Sequence, residues 1–153
     1  MRAARWRGLA APLGRRIAAR ALPFGGRAPA RTIVVPLRTT AARARRRGFD
    51  QAVLLAQAAA GAAGLPVRDV LQRREGPSQV GLPADRRWDN VKHAFAVRAG
   101  ASSIVRGRTV LLVDDVLTTG ATASAAAVVL SRAGAQRVVL STFARALPET
   151  HAS

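Results

Sequence analysis

The sequence has no cysteine and few other residues that bind transition metals. Its 153 residues include only two histidines, His93 and His151, and 4% aromatic residues. Disulfide bonds and cysteine-ligated metal centres are therefore excluded, and a zinc site built from histidines is not expected. We expect no metal held by protein side chains alone.

Long apolar runs are also missing. No stretch reaches the roughly 18 apolar residues that a membrane-spanning helix needs. Arginines interrupt the N-terminal segment every few residues, so it lacks the apolar centre of a secretory signal, although its acid-free start shares the composition of a transit peptide. The pattern predicts a cytoplasmic protein without a membrane span.

Acidic residues are scarce. The chain carries 25 basic and 8 acidic residues, for a formal net charge of +17, and residues 1–49 contain thirteen arginines and no acid. Such a charge attracts polyanions, and both phosphate ligands and nucleic acid qualify. A coding bias explains the preference for arginine over lysine, but it does not explain the shortage of aspartate and glutamate.

The chain is long enough for one domain with a core of valine, leucine and alanine. Along it, segments with the hydrophobic period of a helix alternate with short apolar segments typical of strands. The predicted helices are 8–22, 50–60 and 121–133, and the predicted strands are 32–37, 67–71, 109–113 and 137–142. Strands that alternate with helices predict an α/β fold with a central parallel sheet flanked by helices. The stretch 38–48 is expected to be a basic connection, and 72–90 a long functional loop.

The most informative stretch runs from Val110 to Thr122 and reads VLLVDDVLTTGAT. Its four apolar residues predict a strand buried on both faces, and Asp114 and Asp115 follow as the start of a loop, 114–122. Threonine hydroxyls and backbone N–H groups in this loop open a helix, where the dipole favours an anion. Since carboxylates accept hydrogen bonds from hydroxyl groups, the stretch predicts a site for a ribose 5-phosphate. A plain strand–turn–helix whose threonines only cap the helix is the alternative.

This stretch resembles, position for position, the phosphoribosyl pyrophosphate (PRPP) signature of the type I phosphoribosyltransferases. That signature has four apolar residues, two acids, two apolar residues, two hydroxyl residues, a glycine, a small residue and a hydroxyl residue, and every position conforms. The resemblance implies a type I phosphoribosyltransferase-like fold.

A second dense patch follows the predicted strand 32–37. It reads PLR at 36–38 and RRRGFDQA at 45–52, with Arg43 between them. Arginines gathered after a strand end suit a multiply charged anion such as pyrophosphate, although a solvated basic turn has the same composition. Because open α/β sheets bind ligands outside the carboxyl ends of their strands, we expect both patches to form one site.

The order of these motifs along the chain resembles the ComF family of competence-associated, phosphoribosyltransferase-like proteins, which includes gluconate-utilisation proteins. The matching residues are Pro36-Leu37, Arg47-Gly48-Phe49, Gln51-Ala52, Arg74, Gln79, Gly81-Leu82, Arg86, Asn90-Val91 and Ala94-Phe95. The resemblance covers about residues 5–145. It predicts an N-terminal helical hood segment at 1–30 and a phosphoribosyltransferase-like domain at 31–147.

The chain departs from the family pattern in four places. Asp50 stands where a neutral asparagine is usual, Gly76 where a threonine is common, and Arg38 where histidine is frequent. The four-cysteine zinc ribbon at the start of most full-length members is absent. The chain is therefore either a ribbonless member or one with a truncated start.

The resemblance implies a role for each motif. Asp114 and Asp115 would be the catalytic residues, facing the ribose hydroxyls, and Thr118, Thr119, Gly120, Ala121 and Thr122 would hold the 5-phosphate. Arg38, Arg46 and Arg47 would face the pyrophosphate, with Mg²⁺ as the cofactor that accompanies PRPP. Arg74, Gln79, Arg86 and Asn90 would belong to a loop that closes over the site.

Several functions stay open at this point. The first is a PRPP-binding protein with a role in competence and DNA uptake, whose reaction would displace pyrophosphate from the ribose by a nitrogen nucleophile. The second is a non-catalytic accessory for DNA uptake that contacts single-stranded DNA or a helicase through its basic face. A PRPP-responsive regulator is a third, but no helix-turn-helix segment is evident. The acceptor base and the oligomeric state cannot be read from the sequence.

Overall fold

The structure is a computed structural model that describes residues 2–21, 29–73 and 94–145. Its elements in chain order are α1 (Arg2–Ala21), β1 (Thr32–Pro36), α2 (Ala41–Arg47), α3 (Gln51–Ala63), β2 (Leu71–Arg73), β3 (Phe95–Val97), α4 (Ser102–Val105), β4 (Thr109–Leu117), α5 (Ala121–Arg132) and β5 (Arg137–Arg145). Within these ranges, no helix is both long enough and apolar enough to cross a membrane.

Three parallel strands form the main sheet, in the order β1-β4-β5. Thr32 pairs with Thr109 and Thr109 with Arg137, so the three strands begin at the same level. Their carboxyl ends therefore share one edge of the sheet. The predicted central parallel sheet is confirmed.

Apolar residues of β1 and β4 fill both faces of this sheet. Ile33 and Leu112 belong to a cluster with the apolar residues of α5, whereas Val34 and Leu111 belong to a second cluster with α1 and α3. Each of these four side chains is at most 2% exposed. A strand that is covered on both faces needs apolar residues at every position, which explains the unbroken apolar runs in the sequence.

Helix α1 lies on the same sheet face as α3 and reaches its core through Ile17. It begins at Arg2 rather than at residue 8, and Leu9 on this helix is 53% exposed. Ala10 and Ala18 are buried instead. They share a face with Gly14, and small residues let the backbones of two helices approach closely. The separation of a hood segment 1–30 from a domain 31–147 stays a prediction.

The helix ends follow local capping rules. Helix α3 begins after Asp50, whose carboxylate accepts hydrogen bonds from the first turn, and it ends at Gly64, which has a φ of 64°. Helix α5 ends with a backbone hydrogen bond from Ala135 to Leu130, and Gly134 takes a φ of 94° between them. A positive φ at the end of a helix favours glycine. The predicted ends of these two helices are thus close to the observed ones.

Several predicted boundaries are wrong. The connection 38–48 contains helix α2, whose first turn is capped by the Thr40 side chain and whose end is the left-handed Gly48. The strand expected at 67–71 is reduced to a single bridge between Val67 and Val34, and the strand itself is β2 at 71–73, antiparallel to β3. These elements have too few residues for a hydrophobic period to reveal them.

The glycine at the contact between α1 and α3 predicts a difference between two substitutions in one helix. A Cβ atom at Gly14 would lie within 2.6 Å of the backbone nitrogen of Ala59, whereas a Cβ at Gly8 would meet nothing within 4 Å. We expect Gly14→Ala to lower the free energy of unfolding by about 3 kcal/mol, because two backbones must separate. Gly8→Ala should raise it by up to about 1 kcal/mol through helix propensity. Urea denaturation of both variants measures the difference, and equal stabilities would contradict this packing.

Candidate active site

A cleft of about 340 Å³ opens at the carboxyl ends of β1 and β4. Both motifs of the sequence contribute to it, as expected from the shared edge of parallel strands. The residues that line it are Leu37, Arg38, Thr39, Arg43, Arg47, Asp50, Gln51, Ala52, Arg73, Asp114, Asp115, Val116, Leu117, Thr118, Gly120, Thr122 and Ala123. Four arginines and three aspartates therefore face one space.

The two adjacent carboxylates lie on the sheet and not, as predicted, in the loop that follows it. Strand β4 continues to Leu117, because β5 continues beside it and Asp114 pairs with Thr142. Asp114 Oδ1 accepts a hydrogen bond from the backbone N–H of Asp115 at 2.8 Å, and Asp115 Oδ1 accepts one from that of Val116 at 2.8 Å. The sheet thus fixes the position of both carboxylates at the floor of the cleft.

Asp114 is the most perturbed acid of the cleft. Burial raises the pKa of Asp114 to about 7, and the nearby charge of Asp115 acts in the same direction. The backbone hydrogen bond from Asp115 and the guanidinium of Arg73 lower this pKa, but they do not outweigh burial. A carboxyl group with a pKa raised by burial in a cleft is a candidate functional residue.

The loop after the carboxylates leads into helix α5, and the threonines of this region have two different roles. Gly120 is the N-terminal cap with a φ of 78°, and it has no side chain to cap the helix. Thr119 Oγ1 accepts a weak hydrogen bond from the backbone N–H of Ala121 at 3.4 Å. Thr118 and Thr122 instead line the cleft, whereas Thr119 and Ala121 do not. The start of α5 therefore lies at the cleft, with Thr118, Gly120 and Thr122 in its lining.

Arg38 follows β1 and is already engaged by two aspartates. Its Nη1 donates to Asp69 Oδ2 at 2.6 Å, and its Nε lies 3.8 Å from Asp50 Oδ2. Asp69 Oδ2 also accepts from Arg98 Nη2 at 3.2 Å. A ligand anion that binds Arg38 must therefore compete with the Asp69 carboxylate.

Helix α2 presents two of its four arginines to the cleft. Arg43 and Arg47 line it, and they are four residues apart, which places them on one face of the helix. Arg47 Nη1 also donates to Gln51 Oε1 at 2.6 Å. Arg46, which was expected to face the ligand, is exposed and does not line the cleft. If helix α2 had been predicted, its four-residue spacing would have indicated that Arg43, and not Arg46, lies on the same face as Arg47.

Arg73 lies in the cleft although the sequence patterns did not single it out. It ends strand β2, and its guanidinium carbon lies 5.3 Å from the ring centre of Phe95, its partner on β3. Burial lowers the pKa of Arg73, Arg43 lowers it further, and Asp114 opposes both. Arginine stays charged under these conditions, so Arg73 brings a fixed positive charge close to Asp114.

Asp50 connects the two halves of the second motif. The side chain is buried, and its Oδ1 accepts hydrogen bonds from the N–H groups of Ala52 at 3.1 Å and Val53 at 3.4 Å. Its Oδ2 accepts from the N–H of Thr39 at 3.2 Å. An asparagine here would turn an amide NH₂ toward one of these donors. The carboxylate therefore holds the loop after β1 against the start of α3.

The four loop residues Arg74, Gln79, Arg86 and Asn90 fall outside the described residues, so their assignment stays a prediction. In the part of the chain that is described, no group of three or more histidine, cysteine, aspartate or glutamate side chains could hold a metal ion. Asp114 and Asp115 are the adjacent carboxylates at the cleft floor.

The raised pKa of Asp114 predicts how the stability of the ligand-free protein depends on pH. Above the ordinary pKa of an aspartate, near 4, the unfolded chain loses this proton while the folded chain keeps it until about pH 7. The group thus destabilises the fold increasingly as pH rises through this window. We expect Asp114→Asn to raise the free energy of unfolding by about 1–2 kcal/mol at pH 8 and to have little effect at pH 4. Thermal denaturation across this range tests it, and a pH-independent difference would contradict it.

Known proteins resemble this chain in sequence and in fold. The family model for the phosphoribosyl transferase domain matches residues 46–151. Competence protein F of Haemophilus influenzae is 32% identical over 115 residues, which are 74% of this chain and 50% of that protein. This chain therefore spans about half the length of that curated relative.

Two solved structures have a similar fold at low sequence identity. The glutamine phosphoribosylpyrophosphate amidotransferase of B. subtilis matches with a TM-score of 0.58 and 21% identity over 90% of this chain and 26% of its own. A hypoxanthine phosphoribosyltransferase of Trypanosoma cruzi matches with a TM-score of 0.54 and 13% identity over 94% of this chain and 78% of its own. These structures show a similar fold. The family match and the similarity to competence protein F show that this chain belongs to the phosphoribosyl transferase domain family and is a ComF-like, type I phosphoribosyltransferase-related protein.

Proposed function

We propose that the cleft binds PRPP. The observation that carries this proposal is that the two motifs line one cavity of about 340 Å³: arginines after β1 and within α2, carboxylates near the end of β4, and threonines around the start of α5. PRPP carries a phosphate at one end of a ribose and a pyrophosphate at the other. The site has carboxylates that suit the ribose hydroxyls and two groups of anion-binding residues that suit the phosphate and the pyrophosphate. It therefore matches the distribution of charge in PRPP.

Each part of the ligand has a matching part of the cleft. The 5-phosphate would lie at the start of α5, where the backbone N–H groups of residues 118–122 and the hydroxyls of Thr118 and Thr122 would bind it. Asp114 and Asp115 would accept hydrogen bonds from the ribose hydroxyls. The pyrophosphate would face Arg38 and Arg47, as the sequence predicts, and Arg43 and Arg73 join them in this cleft.

Magnesium fits this arrangement as part of the ligand complex. Mg²⁺ is commonly bound by one or two carboxylates together with the phosphates of its substrate, and it keeps several waters. Asp114 and Asp115 would be the carboxylates that face it. When bound, Mg²⁺ would neutralise pyrophosphate oxygens and so make pyrophosphate a better leaving group.

The reaction that such a site supports is the transfer of the ribose phosphate to a nitrogen nucleophile. A bond forms between the nitrogen and C1 of the ribose, the bond from C1 to the pyrophosphate oxygen breaks, and the nitrogen loses a proton to solvent. The ribose ring gains positive charge in the transition state, and the charge of the two carboxylates stabilises it. The four arginines hold the pyrophosphate as negative charge develops on it.

We place this activity in the cytoplasm and in competence and DNA uptake, on the similarity to competence protein F. The accessory role is the second candidate, and the +17 charge of the chain favours it. In that role the cleft keeps its ligand, whereas a basic surface contacts single-stranded DNA or a helicase. A screen for pyrophosphate release with purine, pyrimidine and amide acceptors separates the two roles once PRPP binding is measured.

Calorimetry with PRPP and Mg²⁺ tests the proposed ligand. We expect the double substitution Asp114→Asn and Asp115→Asn to weaken PRPP binding by about tenfold or more, because it removes the negative charge that strengthens each hydrogen bond from a ribose hydroxyl. The affinity for inorganic pyrophosphate alone should not fall, because the arginines that face it are unchanged.

Two substitutions in helix α5 form a matched test and control, because each removes one hydroxyl group. Thr122→Val should weaken binding of ribose 5-phosphate by about threefold to tenfold, because a hydroxyl at the cleft is lost. Ser131→Ala, near the far end of the same helix, should leave it unchanged. Wild-type PRPP affinity in the double aspartate variant would refute the proposed assignment.

The contact between Asp69 and Arg38 predicts a variant with tighter binding. Asp69→Asn removes the carboxylate that competes for Arg38, so the affinity for pyrophosphate should rise by about twofold to fivefold, the value of an exposed ion pair. Gln136→Lys adds the same charge at the opposite end of the sheet and should raise this affinity less. Isothermal titration with pyrophosphate compares the two variants. Equal affinities in both would show that Asp69 does not compete for Arg38.

A further inference from the structure

Strand β5 lies at the edge of the main sheet and is paired on one side only within the described residues. It runs for nine residues beside β4, and its other edge has no strand partner in the ranges 2–21, 29–73 and 94–145. Such an edge offers unpaired backbone N–H and C=O groups along its length. Leu140 is 37% exposed and Phe143 is 46% exposed on this strand. The edge is thus a surface on which another extended segment can pair.

A groove lies between helix α1 and the face of the sheet near β5, away from the cleft, and at one end it also reaches Thr32 of β1 and Thr109 of β4. Two adjoining cavities of about 280 and 210 Å³ form it, and Arg20 lines both. Arg137 lines the first cavity and Arg16 the second, so three arginines surround the groove. Among the residues that the structure describes, no acid lines either cavity. Within that part of the chain, the groove carries a positive charge that no lining carboxylate balances.

Charged, apolar and polar side chains of β5 line the groove beside the arginines of α1. Arg137, Val139, Ser141 and Phe143 all line it, and their spacing of two residues places them on one face of β5. Ile17 lies opposite them on α1. A strand that pairs with the edge of β5 would direct every second side chain into this groove, where apolar and acidic side chains find matching neighbours.

A second copy of this chain does not suit the groove. If two β5 strands paired antiparallel about a twofold axis through Ser141, Arg137 of one copy would oppose Arg145 of the other. Like charges directly opposite each other destabilise a strand pair. The arginines of the two grooves would also approach each other. Charge complementarity therefore favours a partner that is acidic.

Nucleic acid fits the groove less well than an acidic peptide. Proteins that bind single strands combine positive charge with several aromatic side chains on which bases stack, and Phe143 is the aromatic residue among those that line the groove. The free backbone groups of β5 also have no regular counterpart in a sugar–phosphate chain, whereas a peptide strand matches them at every second residue.

We propose that the groove between α1 and β5 binds an acidic, extended segment of a partner protein, which adds to the sheet as a strand beside β5. Backbone hydrogen bonds along the edge hold the segment, and Arg16, Arg20 and Arg137 select acidic side chains. This surface is separate from the cleft, and no residue lines both.

A labelled peptide tests this proposal on the full chain. The probe has about eight residues, a typical strand length, and alternates glutamate with valine. We expect it to bind, and a twin with lysine in place of glutamate not to bind. Replacing Arg16, Arg20 and Arg137 together by glutamine should weaken binding by about tenfold or more. Replacing Arg45, Arg106 and Arg132 by glutamine removes the same charge outside the groove and should change binding by less than about twofold.

Hydrogen exchange separates strand addition from a general attraction between charges. On peptide binding, amide exchange should slow at alternate residues between Arg137 and Arg145. Equal loss of affinity in the two triple variants, or no slowing in this strand, would overturn the proposal. An oligothymidylate of about 20 nucleotides is the competing probe. If it binds through the three groove arginines and the acidic peptide does not bind, the groove is a nucleic-acid surface and the proposal fails.

Discussion

The burial of β1 and of the first five residues of β4, Thr109–Val113, is the constraint on which the rest of the structure depends. Because helices cover both faces of these strands, no polar side chain can lie along their length without losing its hydration. Polar groups that serve a ligand can therefore be placed only where the strands end. The parallel arrangement brings these ends to one edge, so residues far apart in sequence, such as Arg38 and Asp114, line the same cleft.

The acidic residues of the described ranges are concentrated near that edge. The acids of the described ranges are Asp50, Asp69, Asp114 and Asp115, and each one either lines the cleft or binds Arg38, which lines it. Within the described residues, the groove beside β5 has no acidic residue in its lining. The described acids are thus concentrated at the cleft or beside it. Inside it, carboxylates hold loops, occupy arginines and face the proposed ribose.

The sequence predicted those features that arise from long or repeated patterns. The apolar runs predicted the parallel sheet. The motif at 110–122 predicted that Asp114 and Thr122 would line one site, and both line the cleft. Features that depend on tertiary contacts were missed. Strand β4 extends to Leu117 only because β5 accompanies it, and Arg73 reaches the cleft through the pairing of β2 with β3. Arg46 was preferred to Arg43 because the short helix α2 has no hydrophobic period to reveal it.

The central claim is that one ligand bridges the two strand ends, and amide chemical shifts measured during titration with PRPP and Mg²⁺ test it most directly. The account predicts shift changes in two separate segments, residues 38–52 and 114–123, at the same ligand concentration. The amides of β5 along the α1 groove should stay unchanged. Changes confined to one of the two segments, or centred on the arginine groove, would contradict the claim that the two motifs form a single PRPP site.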